Sequence, residues 1–327
     1  MFIINNKNNN KGKNMNNLKK IGLTALAASL VTTSAFAGEM SVAGSASIGV
    51  KNTTGTNTAL GKSWTMGNQL TFTGGGELDN GMNVSLSFII DQADDSTTGL
   101  ANSPFDSHSV TISSDALGSF KFSGEGGSSA QGAMDAGAAG DLWNNGTGVA
   151  EITGAAAGNN SMFYTLPSMV DGLDVTASMS PRRAAQDTHT SYGVAYTGVE
   201  GLTVKFGQGD SGAPGAEIES TTMMASYALG SFTVSASNTE ADKTGANNRE
   251  VKSYQVAYTV SDSMSVTYGT ETYETVTAAT DEEIDSFGVS YTTGGMTLSA
   301  NTFDTEGAGN TAGAKTERWA LGLSFAF

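Results

Sequence analysis

The sequence predicts an all-β fold: sixteen antiparallel strands closed into one transmembrane β-barrel, with a long third loop folded into the lumen. Three observations lead there. Apolar or aromatic residues recur at every second position, the connections alternate between short and long, and the faces opposite the apolar ones are strongly polar. Period two marks a strand with one apolar face. No helical period of comparable strength is present.

The first 37 residues read as an export leader. Lys19 and Lys20 precede the apolar run Ile21 to Val31, and Ala35-Phe36-Ala37 forms a small-residue cleavage site. The run is too short for a membrane anchor. The Asn/Lys-rich stretch Met1 to Asn14 adds nothing to this signal, so the expected start of translation is Met15, with one domain over 38–327. Removing the leader takes away five of the 16 basic residues and none of the 32 acids, so the formal charge moves from −16 to −21. Such acidity is a poor match for nucleic acid. The absence of Cys excludes disulfides and thiolate metal sites.

Along the chain, Val84, Leu86, Phe88 and Ile90 alternate with Ser85, Ser87 and Ile89. Then come Phe120/Phe122, Leu173/Val175/Ala177/Met179, Tyr192/Val194/Tyr196, Leu202/Val204/Phe206, Phe232/Val234/Ala236 and Tyr254/Val256/Tyr258/Val260. Met264/Val266/Tyr268, Phe287/Val289/Tyr291, Met296/Leu298/Ala300 and Trp319/Leu321/Leu323/Phe325/Phe327 complete the series. Seven short turns, at 79–81, 115–118, 170–172, 199–201, 228–230, 261–263 and 294–295, carry the Gly, Asn and Asp of tight reversals. Eight longer polar connections lie near 53–61, 94–104, 124–159, 182–188, 210–218, 240–248, 276–282 and 304–315. Fifteen connections join sixteen strands, so both chain ends fall on the short-turn side.

Short turns at one end, long loops at the other and strands of about ten residues form the pattern of a bacterial outer-membrane barrel. A soluble sandwich, propeller or β-helix also alternates. A sandwich, however, must bury its apolar faces against each other, and a β-helix needs a fixed short repeat. In hydrocarbon, every backbone N–H and C=O needs an internal partner, so only a sheet without edges persists. Aromatics near strand ends (Trp64, Tyr164, Tyr192, Tyr254, Trp319) are expected at the membrane interfaces. A barrel of sixteen strands is too wide to be filled by side chains.

The opening strand Glu39-Met40-Ser41-Val42-Ala43-Gly44 resembles those of the alphaproteobacterial general porins. So do the segments DALGSFKFSGE (115–125), VDGLDVTASMS (170–180), VEGLTVKFGQGD (199–210) and the ending LGLSFAF (321–327). The resemblance implies a homotrimer of sixteen-stranded outer-membrane barrels. Each passes ions and small hydrophilic solutes by diffusion, without a cofactor. It also implies that Phe327 is the assembly signal offered to the barrel-insertion machinery, and that 124–159 folds inward as a constriction bearing Glu125, Asp135, Asp141 and Glu151. Strand parity then points Lys51, Lys121, Lys205 and Arg318 into the pore, facing those acids across it. Arg182 and Arg183 are candidates for the pore mouth. The negative charge predicts a mild preference for cations that weakens at high salt. Small residues Ala43 to Ala46 are a candidate subunit contact.

His108 and His189 have no metal-ligand neighbour at short spacing, and no nucleophile-elbow motif is present, so no enzyme is expected. Asp91, Asp94 and Asp95, and Asp281, Glu282 and Glu283, offer the oxygen ligands of structural Ca²⁺ sites, which would also bridge lipopolysaccharide phosphates. Solvated loop tips are the plainer reading. Three rival functions stand: a substrate-specific channel with an aromatic track, a structural or adhesive barrel with a filled lumen, and an exported soluble β protein.

Overall fold

A computed structural model describes residues 40–56, 61–91, 105–135, 137–142, 152, 154–181, 187–243 and 248–327. The expected leader lies outside them. The described chain forms sixteen strands: β1 (Met40–Gly55), β2 (Gly61–Glu77), β3 (Asn83–Asp91), β4 (Phe105–Ser114), β5 (Gly118–Glu125), β6 (Ser161–Thr165), β7 (Leu173–Ser180) and β8 (His189–Tyr196). These continue as β9 (Leu202–Ala213), β10 (Ala216–Leu229), β11 (Phe232–Lys243), β12 (Arg249–Ser261), β13 (Met264–Thr275), β14 (Glu282–Thr293), β15 (Met296–Glu306) and β16 (Lys315–Ala326). Each pairs antiparallel with its sequence neighbour, and β16 pairs with β1 from Ser45↔Ala326 to Gly55↔Thr316, which closes the barrel.

The side chains sort by parity as the pattern requires. Large apolar groups stay exposed on one face: Ile48, Leu86, Phe120, Tyr192, Met223, Tyr254, Phe287 and Leu321 are each more than a third accessible. Their neighbours on the other face are small and polar, and many are buried, among them Ser123, Ser178, Ser191, Thr222, Ser237 and Ser253. A soluble protein would hide the first set and expose the second. A lipid-facing exterior explains both. Trp64, Tyr164, Tyr192, Tyr254 and Trp319 all lie on the exposed face. One-residue alternation also divides the stretch Ala43 to Ala46. Gly44 and Ala46 share the exposed face with Val42 and Ile48, whereas Ala43 and Ser45 turn to the other, so the four cannot form one contact.

One expected long loop is absent. The polar stretch 210–218 belongs to β9 and β10, which meet at Ala213↔Ala216 across Pro214-Gly215. Proline presets φ for the first turn position, and Gly215 supplies the positive φ (79°) of the second. Strands β9–β16 run 11 to 14 residues, against 5 to 10 for β3–β8. Polar residues such as Asp210 and Glu217 therefore extend the ladder beyond the apolar band.

Candidate functional site

The connection between β5 and β6 is fastened to the polar face strand by strand. The Ala130 N–H lies 2.9 Å from both Ser178 Oγ on β7 and Ser191 Oγ on β8. The Ala138 N–H donates to Ser237 Oγ on β11 (2.9 Å) and the Ala139 N–H to Ser253 Oγ on β12 (2.7 Å). The Leu142 N–H donates to the Glu271 carboxylate on β13 (2.6 Å). Glycines admit the chain where no hydroxyl stands. A Cβ at Gly193 would lie 2.7 Å from Ala130 O, and one at Gly207 would lie 2.9 Å from Gln131 Cα. Leu142 then packs with Tyr273, Ile284 and Phe303, the buried apolar cluster of the described residues. Backbone donors without water need such partners, which makes a serine on successive strands a docking surface for an irregular chain.

Asp135 and Asp141 line one cavity of about 570 Å³, together with Gln131, Ser237, Thr239 and Tyr273. Asp135 Oδ1 accepts from Thr239 Oγ1 at 2.9 Å. Asp141 is exposed and has positive φ (54°), which the short acidic side chain tolerates. Glu151, Arg182 and Arg183 lie outside the described residues.

Glu125 does not join these acids. The ladder shifts register between Ser109↔Ser123 and His108↔Glu125, a β-bulge at Gly124. The extra residue breaks the series Ser119, Lys121, Ser123 and sets Glu125 across from His108, on the side of Val110 and Ile112. A Cβ at Gly124 would fall 2.0 Å from the His108 ring, which fits that placement.

The four expected cations do lie on the polar face. Lys121 shares parity with buried Ser123, and Lys205 with Gly207 and Gly209, which meet the connecting segment. Lys51 stands across from Ala320 and Ser63. Arg318 is aligned with Thr53 and Phe303, its guanidinium carbon 5.7 Å from the Phe303 ring centre. Asp91 lies on this face as well, paired with Gln69.

Asp281, Glu282 and Glu283 do not converge. Glu282 is fully buried and accepts the Gly309 N–H at 2.6 Å, whereas Glu283, next along β14, points to the opposite face. Among the described residues, no three His, Cys, Asp or Glu side chains gather to hold a metal ion. Asp94 and Asp95 lie outside the described residues. Phe327 pairs its backbone with Gly44 at the seam.

Three groups of the site escaped sequence reasoning: the row of hydroxyls, Gln131 and Glu271. The polar-face alternation of Ser and Thr carried the first, but only the pairing shows which of them meet one segment.

Residues 22–292 match the family described as Gram-negative porin. No curated protein matches the chain. Among solved structures, the anion-selective porin from Comamonas acidovorans shares 15% identity with TM-score 0.65, over 88% of this chain and 99% of that one. Outer-membrane OmpT of Vibrio cholerae shares 16% with TM-score 0.65, over 90% and 99%. A mutant of Rh. blastica porin shares 13% with TM-score 0.64, over 88% and 100%.

Proposed function

The chain belongs to the Gram-negative porin family, non-enzymatic channels for passive diffusion through the outer membrane, and from that premise we propose that residues 126–160 fold into its lumen and set the bore. The observation that carries this reading is the run of backbone hydrogen bonds from Ala130, Ala138, Ala139 and Leu142 to β7, β8, β11, β12 and β13. A sixteen-stranded barrel leaves an aqueous channel that such a segment narrows. Asp135 and Asp141 then face Lys51, Lys121, Lys205 and Arg318 across the water, and the opposed charges set a transverse field. Glu151 adds to the acids and Arg182 and Arg183 to the mouth.

Selectivity follows from what lines the bore, not from the whole chain. Many strand acids, including Glu219, Glu240, Glu250, Glu274, Asp285 and Glu317, sit on the exposed face of the wall. The pore therefore prefers cations only mildly, by less than about tenfold in permeability, or about 1.4 kcal/mol. The chain is of the alphaproteobacterial type by its motifs and assembles as a homotrimer. It is exported by a leader cleaved after Ala37, with Met15 as the start, and Phe327 addresses it to the insertion machinery. Lipopolysaccharide surrounds its outer rim, and any structural Ca²⁺ belongs to the loop tips around Asp94, Asp95 and Asp281.

Planar-bilayer recording of the wild type and of a deletion of residues 130–150 tests the reading. Conductance should rise on deletion, and an unchanged conductance defeats the constriction.

A further inference from the structure

Gln131 is fully buried. A buried primary amide is costly unless both ends are bonded, and here both are. Its Oε1 accepts the Ala155 N–H at 2.9 Å. A backbone N–H can only donate, so this contact fixes which end of the amide is oxygen. The Nε2 group then donates to Thr222 Oγ1 on β10 at 2.8 Å. Thr222 Oγ1 stands 2.9 Å from Thr239 Oγ1 on β11, and Thr239 Oγ1 donates to Asp135 Oδ1 at 2.9 Å.

The chemistry assigns every proton in this chain. An ionised carboxylate only accepts, so the single hydroxyl proton of Thr239 goes to Asp135. The proton between the two threonines is therefore that of Thr222. Thr222, having given it away, accepts from Gln131. All the donors run one way, from the returning limb at Ala155 through the wall to the carboxylate. Bonds aligned in this manner strengthen one another.

We propose that Gln131 is a positioning residue for permeation: through Thr222 and Thr239 it fixes where the Asp135 carboxylate stands in the bore, and so tunes ion preference and the steadiness of the open current. This rests on the reading that 126–160 lies in the lumen. The full mature chain, folded and inserted in planar bilayers under a KCl gradient, provides the test. Asp135→Asn gives the reversal potential of a bore without that charge. Thr222→Val keeps the volume but removes the relay. It should move the reversal potential toward that of Asp135→Asn and raise open-channel noise, while Thr222→Ser restores both to wild type. If Thr222→Val does not fold, Gln131→Asn, one methylene too short to reach both partners, carries the same expectation. Wild-type reversal potential and noise in these variants, or no shift in Asp135→Asn, overturn the proposal. Deletion of 130–150 separates its failure from that of the lumen reading. A deletion that raises conductance beside silent Thr222 and Gln131 variants leaves the constriction standing and removes only the positioning role.

Discussion

Gly44 and Phe327 exchange both of their main-chain hydrogen bonds, at 2.7 Å from the Gly44 N–H and 2.9 Å from the Phe327 N–H, and the phenylalanine ring covers the hydrogen face of the glycine. A Cβ on Gly44 would come within 2.2 Å of the ring. The last residue of the chain thus extends the seam that joins β16 to β1.

Deleting Phe327 removes both bonds, each worth about 1 kcal/mol. The folded form should lose its slow gel migration at a lower temperature than wild type. Gly44→Ala should cost less, because the ring is largely exposed and free to swing. Heat-modifiable mobility on unboiled gels measures both. An equal effect of the two changes would refute the seam as the cause.

Glu271 holds the far end of the connecting segment. It is fully buried and takes hydrogen bonds from the Leu142 N–H (2.6 Å), Ser253 Oγ (2.9 Å) and Tyr273 Oη (2.5 Å). Glu271→Ala leaves those buried donors without an acceptor, at a cost of about 1–3 kcal/mol for each. Limited proteolysis should cut within 126–160 faster than in wild type while the barrel persists. Protection equal to wild type would refute the latch.

Lys121 and Lys205 lie on the polar face, so replacing either by Glu should raise the preference for cations. Measured reversal potentials should shift by less than the equivalent of about 1.4 kcal/mol per change, a tenfold permeability ratio. Lys252→Glu, on the exposed face, changes the net charge equally and should leave the potential where it was.

Lys252 bridges Glu250 (3.2 Å) and Glu274 (2.6 Å), and Glu240, Glu250 and Glu274 stand directly opposite one another on β11, β12 and β13. Like charges in register repel. Lys252→Ala should therefore lower the melting temperature at low salt, and the difference should vanish in high salt as screening removes both terms. A salt-independent loss would assign the effect to packing of the lysine stem instead.

The strands were legible because lipid and water impose opposite demands on successive residues, as Val84 to Ile90 and Trp319 to Phe325 show. The stretch 210–218 was misread for a physical reason. Above the lipid, both faces of a strand meet water, so β9 and β10 lose their alternation there and resemble a loop. Glu125 reads in the sequence as the start of the third loop, but β5 runs on to it, and the extra residue at Gly124 turns it to the side of Val110 and Ile112. Gln131 and Glu271 stayed hidden because their roles depend on segments more than 20 residues away. By contrast, parity alone puts Lys51, Lys205 and Arg318 on the polar face because their ladders are unbroken, and Lys121 because it precedes the bulge.

The division of acids between the two faces of the wall has a practical consequence. Ion-exchange retention and electrophoretic drift of detergent particles respond mainly to the outer skin of this molecule, and they will report a strongly anionic object. A bilayer electrode senses the charges along the path of the ions, and Lys51, Lys121, Lys205 and Arg318 stand on that polar face. The two kinds of instrument will disagree about the same polypeptide, and recolouring its exterior with lysines should change its chromatography without touching its current.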